Sequence, residues 1–171
     1  MCLGRPATIV GTGGNDRLHG TAGDDVIFGG AGGDTLGGGV GADLVCGGDG
    51  DDRLDGGTGS DVLDGGSGND TISGGSGVDA VSFEEAPRAV TVDLSRHRAT
   101  GWGTDRVTGV ETVLGSRSAD RLVGDAGSNH LAGLSGGGGN DLLDGGPGAD
   151  RLDGGPGLDY CVGGEIVVNC P

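Results

Sequence analysis

Eight aspartates recur at an interval of nine residues: Asp16, Asp25, Asp34, Asp43, Asp52, Asp61, Asp70 and Asp79. Each closes a glycine-rich run, and an aliphatic residue follows two places later: Leu18, Ile27, Leu36, Val45, Leu54, Leu63, Ile72 and Val81. The repeated unit from Gly11 to Ser82 reads G-G-x-G-x-D-x-U-x, with U aliphatic. A fixed period of this kind marks a stacked solenoid. Its chemistry is that of hard oxygen donors: carboxylates, and carbonyls that glycine leaves uncovered. Such donors suit calcium. Neighbouring strands of a sheet lie about 4.8 Å apart, and calcium binds oxygen at about 2.3–2.6 Å. An ion midway between two stacked turns therefore reaches oxygens of both. Without it, stacked carboxylates about 5 Å apart would repel by roughly 1 kcal/mol per pair in water, and more when shielded from it.

The elements that must position these donors follow from the same unit. Six glycine-rich residues make a turn in which glycine supplies backbone conformations closed to other residues. Three residues then make a strand whose single U side chain points inward while its neighbours point out. No helix is expected, because glycine costs about 1 kcal/mol against alanine at each helical position. The core is thin. Burying one aliphatic side chain contributes about 1.5–3 kcal/mol, well below the conformational entropy of ordering nine residues. Another strong term is required, and calcium supplies it.

Residues 1–10 read as an opening cap with a strand at Ala7–Val10, and 11–82 as the first repeat block. The register breaks over 83–114, an irregular β insert in which Ala89–Leu94 and Val110–Leu114 read as strands and which holds the single tryptophan, Trp102. A longer structural coil is the plainer reading of that insert, a partner-binding segment the sharper one. The repeat resumes over 115–162, with Asp120, Asn129, Asp141, Asp150 and Asp159 at position six and three extra residues near Gly133–Ser135. Residues 163–171 read as a closing cap. The aspartates at position nine (Asp55, Asp64, Asp144, Asp153) are expected to face solvent.

Composition excludes several functions. With 45 glycines and 2% aromatic residues in 171, no ordinary globular core is available, and only the fixed spacing argues against a disordered acidic chain. Disorder is the expectation for the calcium-free state. The net charge of -16 argues against nucleic acid, whose phosphates need clustered cations. No apolar run approaches the roughly 18 residues that span a bilayer. Gly133-Leu134-Ser135-Gly136-Gly137 matches a hydrolase elbow, but that motif needs a strand, a sharp turn and a helix; in a glycine-rich repeat, chance explains it better. The acidic run Asp49–Asp55 lacks the bidentate glutamate and flanking helices of an EF-hand. Asn69-Asp70-Thr71 fits a glycosylation sequon by accident, since Asp70 is a candidate ligand. No H-E-x-x-H is present, and no catalytic residues are expected.

The nonapeptide array resembles the RTX, or haemolysin-type, calcium-binding repeat family. The resemblance implies an all-β fold, a parallel β-roll (a right-handed, β-helix-like solenoid) in which two nonapeptides make one coil. It further implies several Ca²⁺ ions, each held by the carbonyls of positions two and four and the aspartate of one turn, with the carbonyls of positions one and three and the aspartate of the turn 18 residues on. Carried onto this chain, Thr12, Gly14 and Asp16 pair with Gly29, Ala31 and Asp34, while Thr21, Gly23 and Asp25 pair with Gly38, Val40 and Asp43. Gly30, Gly32 and Asp34 pair with Gly47, Asp49 and Asp52; Gly39, Gly41 and Asp43 with Gly56, Thr58 and Asp61. Gly48, Gly50 and Asp52 pair with Gly65, Ser67 and Asp70; Gly57, Gly59 and Asp61 with Gly74, Ser76 and Asp79. In the second block Gly137, Gly139 and Asp141 pair with Gly154, Pro156 and Asp159, and Gly145, Pro147 and Asp150 offer a further half-site.

Some copies depart from the pattern. Thr12 and Thr21 replace the second glycine, which is expected to weaken their sites only slightly because backbone carbonyls survive substitution. Asn129 loses a charge, Ser116-Arg117-Ser118 makes a poor turn, and no turn is expected beyond Asp159 to complete a site with Asp150.

Four cysteines permit three full pairings. Their spacing and three scattered histidines do not fit zinc, so disulfides and an oxidising compartment are expected. The family resemblance, with its Leu44-Val45-Cys46-Gly47-Gly48 run, implies Cys2–Cys46 and Cys161–Cys170. The opening residues lack a signal peptide's charged and apolar regions, so export is expected to use a trimmed leader or another signal. The combined expectation is a secreted, extracellular calcium-binding module that folds on export and acts as a stabilising scaffold, with no nucleic-acid partner and no membrane span. The competing readings are an adhesion protein that binds through 83–114 and a non-catalytic fragment of a larger secreted enzyme or toxin.

Overall fold

The computed structural model describes residues 1–133 and 139–170. The fold is a nearly all-β parallel β-roll, divided into two compact units: Met1–Ser82 with Gly103–Val110, and Phe83–Trp102 with Glu111–Pro171.

In the first unit, successive nonapeptides alternate between two parallel sheets, so a strand pairs with the one 18 residues away. One sheet aligns Ile9, Ile27, Val45, Leu63 and Val81. The other aligns Leu18, Leu36, Leu54, Ile72 and Val107. These U residues face each other as the core, and from Ile27 to Val81 they are at most 1% exposed. The strands run longer than expected. Val26–Ala31, Thr35–Val40, Leu44–Asp49 and Val62–Ser67 are each six residues, because positions one to three of the turn continue the ladder, Gly30 pairing Gly48 and Ala31 pairing Asp49.

The outward positions differ between the two sheets. Arg17, Thr35, Arg53, Thr71 and Arg106 line one, whereas Val26, Leu44 and Val62 line the other. The Cys2–Cys46 disulfide fastens the N-terminal segment over that apolar face, where Leu3 and Ala7 pack against Val26 and Leu44.

The second unit repeats the plan. Val113, Leu131, Leu152 and Val167 align in one sheet, and Val92, Leu122, Leu143 and Cys161 in the other. Cys161 bonds Cys170, so all four cysteines are paired. Two features depart from a pure parallel roll. Thr91–Asp93 pairs antiparallel with Arg98–Thr100. Between them Leu94–Arg96 forms a 3-10 turn, against the expectation of no helix, because the Asp93 side chain accepts the Arg96 N–H and His97 takes a left-handed φ of 55°. The extra residues in the 115–162 block lie outside the described residues, as do Leu134–Gly137 of the elbow-like motif and the candidate ligand Gly137.

Among the described residues no helix is long and apolar enough to cross a membrane.

Candidate metal centre

The turn is built by its glycines. Positions two and four take left-handed backbone, as at Gly48 (φ 115°) and Gly50 (φ 128°), a region a β-carbon disfavours. Position one is glycine for a different reason. A β-carbon on Gly38 would stand 2.5 Å from Asp43 Oδ2 and against the Gly56 carbonyl oxygen. That crowding shows which oxygens converge: the aspartate of one turn and the position-one carbonyl of the turn 18 residues on. The same convergence joins Asp34 with Gly47, Asp52 with Gly65, and Asp61 with Gly74. Around Gly11 and Gly20 it joins Asp16 with Gly29 and Asp25 with Gly38 as well, so members of all six sites expected in the first block are brought together.

Each aspartate is held by its other oxygen. The Asp16 N–H donates to Asp34 Oδ1 at 2.7 Å, Asp34 to Asp52 at 2.7 Å and Asp52 to Asp70 at 2.9 Å. Asp25, Asp43, Asp61 and Asp79 form the parallel ladder at 2.8–2.9 Å. Oδ1 thus points toward the preceding coil, and Oδ2 is left for the following one. In Asp34, Asp43, Asp52, Asp61 and Asp70, Oδ2 is buried and has no hydrogen-bond partner. An isolated buried carboxylate oxygen is costly. Burial pushes the carboxyls of Asp43 and Asp61 up, Asp52 to about 6 and Asp70 to about 7, with neighbouring carboxylates adding to the rise. These groups lack a counter-charge.

The carbonyls that complete the donor set retain capacity. Asp49, Thr58 and Ser67, at position three, each accept one N–H, from Gly32, Gly41 and Gly50 respectively, which leaves a second lone pair. Among the described residues no three acidic, His or Cys side chains gather, so a cation here would take most of its oxygens from the backbone. Paired carboxylates amid uncovered carbonyls fit Ca²⁺.

The second unit follows suit. The Asp141 N–H donates to Asp159 Oδ1 at 2.8 Å, and the Asp150 and Asp159 Oδ2 atoms are buried without partners. Gly133 stands at the position-one place, its β-carbon direction meeting Asp141 Oδ2 and the Gly154 carbonyl. Gly139 lies beside Asp141 Oδ1, and Pro147 and Pro156 stand at position three of their turns. The chain does return beyond these turns, contrary to expectation: the Gly163 carbonyl lies beside Asp150 Oδ2, and the Asn169 carbonyl beside Asp159 Oδ2, around Gly145 and Gly154.

Sequence reasoning passed over three things. Asp105 occupies the position-six place after Asp70: it is 4% exposed, accepts the Asp70 N–H at 3.1 Å, and burial pushes its carboxyl to about 6. The signal was Gly101-x-Gly103-x-Asp105, a repeat core inside the stretch read as an insert. The position-nine aspartates are not all solvated, since Asp64 is 4% exposed and accepts the Gly66 N–H at 2.9 Å. Asp144 and Asp153 accept Gly146 and Gly155 in the same way. Lastly, Thr12 and Thr21 change how their turns close: each donates its N–H, at 2.6 Å, and its hydroxyl to Oδ2 of Asp16 or Asp25.

Interior aspartates should matter more than terminal ones. Asp52 accepts from one coil, donates to the next and presents Oδ2 to a third set of oxygens, whereas no aspartate follows Asp159 in its ladder. Asp52→Ala is expected to lower calcium-loaded stability by at least about 2 kcal/mol, the scale of a lost charged hydrogen bond, and Asp159→Ala by less. Thermal melts in saturating calcium measure this, and equal losses contradict stacked, shared sites.

The RTX calcium-binding nonapeptide repeat model matches four times, over residues 10–45, 47–81, 105–136 and 135–165, the third match beginning at Asp105. No curated protein matches the chain. The stacked turns, the laddered aspartates and these four matches agree, and the chain belongs to the RTX calcium-binding nonapeptide repeat family.

Proposed function

We propose that this chain is an extracellular calcium-binding β-roll that folds when it binds Ca²⁺ and serves as a structural, stabilising module. The observation that carries the reading is the row of buried Oδ2 atoms on Asp34, Asp43, Asp52, Asp61 and Asp70. Each needs a positive partner, and none of these oxygens has an Arg as hydrogen-bond partner; exposed Arg96 pairs with Asp93 instead. Two disulfides support an oxidising location. In a low-calcium compartment the chain stays unfolded and exportable, and it folds on reaching calcium outside.

Extracellular calcium modules work near 10⁻⁴–10⁻³ M, and the ions bind turns that share aspartates through one stack, so binding is cooperative. A calcium titration followed by circular dichroism should give a single steep transition in that range. Independent sites of nanomolar affinity would refute both the compartment and the coupling, since such a chain would fold before export.

A further inference from the structure

Position two sorts the turns into two kinds. Where it is glycine (Gly30, Gly39, Gly48, Gly57, Gly66, Gly146, Gly155), φ lies between 78° and 116°. In each of those turns Oδ2 of the closing aspartate, from Asp34 to Asp70 and at Asp150 and Asp159, is buried with no donor. The position-two N–H points elsewhere: Gly66, Gly146 and Gly155 donate backward to Asp64, Asp144 and Asp153.

Where position two carries a side chain, none of this holds. Thr12, Thr21, Ser116 and Asp125 are not among the residues with positive φ. Each turns its N–H inward onto the closing residue: Thr12 to Asp16 Oδ2, Thr21 to Asp25 Oδ2 and Ser116 to Asp120 Oδ2, all at 2.6 Å, and Asp125 to Asn129 Oδ1 at 2.8 Å. Hydroxyls add a second bond, Thr12 at 2.8 Å, Thr21 at 2.9 Å, and Ser116 to Asp120 Oδ1 at 2.8 Å. The cause is steric. A β-carbon keeps position two out of the left-handed region, and the peptide then presents its N–H to the oxygen that a cation would otherwise need.

We propose that these four turns close without a cation, so that Thr12 and Thr21 abolish their expected calcium sites, and that each repeat block begins with a calcium-independent coil. Two nonapeptides make one coil, and the four turns are the first two of the 11–82 block and the first two of the 115–162 block. Such a coil is a ready template on which the calcium-requiring turns stack. The proposal rests on the calcium reading above.

The test counts bound ions. Native mass spectrometry of the full chain in saturating calcium compares wild type with Thr21→Gly, Thr12→Gly and Thr21→Ala. Each glycine variant is expected to hold one ion more than wild type. Thr21→Ala, which loses the hydroxyl but keeps the backbone handedness, should hold the wild-type number. An unchanged count in both glycine variants, or the same gain in Thr21→Ala, overturns the proposal. A wild-type chain that binds no calcium overturns the parent reading instead, which separates the two failures. Should one glycine variant not fold, the other carries the comparison.

Discussion

Excess chelator is expected to unfold this chain outright. Each turn from Asp34 to Asp70 buries a carboxylate whose Oδ2 meets no donor, five of them in the first unit alone. The effective cost of burying an uncompensated charge is several kcal/mol, while a whole domain is stable by only about 5–15 kcal/mol. Two or three bare carboxylates therefore exhaust the stability, and the core cannot compensate, because each turn contributes one aliphatic side chain. Metal binding free energy becomes folding free energy in such a case. Two things survive calcium removal: the disulfides, and the closure of the Thr12 and Thr21 turns by their own hydrogen bonds. One coil of this roll buries almost nothing by itself, so neither sustains the fold. Far-ultraviolet circular dichroism with and without millimolar calcium decides the matter. A chelated spectrum that keeps the β signal of the loaded protein means that burial and backbone ladders suffice without the ion.

The period-nine pattern made the stack, the inward U residues and the position-six aspartates legible before any coordinates. It did so because each is a property of one nonapeptide repeated: Leu36, Leu54 and Ile72 need only the 18-residue coil to fall into line. What escaped depended on non-local partners. Asp105 joins the Asp70 ladder 35 residues on, and no count in steps of nine reaches it. The antiparallel return at Arg98–Thr100 and the capping of Leu94–Arg96 arise from Asp93, one residue whose side chain closes a turn. The Gly163-Gly164 pair lacks the rest of the repeat, and Asn169, no glycine at all, follows Gly154 by fewer residues than a full coil, so a search for the whole nonapeptide finds neither carbonyl. The meaning of Thr12 and Thr21 was hidden for a subtler reason. A backbone carbonyl does survive substitution, but the peptide that bears it rotates when glycine is lost, and rotation redirects the N–H.

That rotation predicts opposite outcomes for one substitution at one repeat position. Gly50 and Gly23 both stand fourth in their turns. Gly50 has φ 128°, and a β-carbon there would press on the Gly32 carbonyl, its carbon 2.7 Å away. Gly23 closes a threonine turn, is not among the glycines with positive φ, and a β-carbon there meets nothing within 4 Å. Gly50→Ala must therefore pay left-handed strain of about 1–3 kcal/mol and also displace a carbonyl fixed in the ladder and expected to hold calcium. A loss above about 3 kcal/mol follows. Gly23→Ala removes only unfolded-state freedom, which stabilises by about 0.4–1 kcal/mol where the backbone accepts it. Denaturant midpoints in saturating calcium measure both. If the two alanines cost the same, the turns share one conformation, and the division between glycine-type and threonine-type closure is wrong.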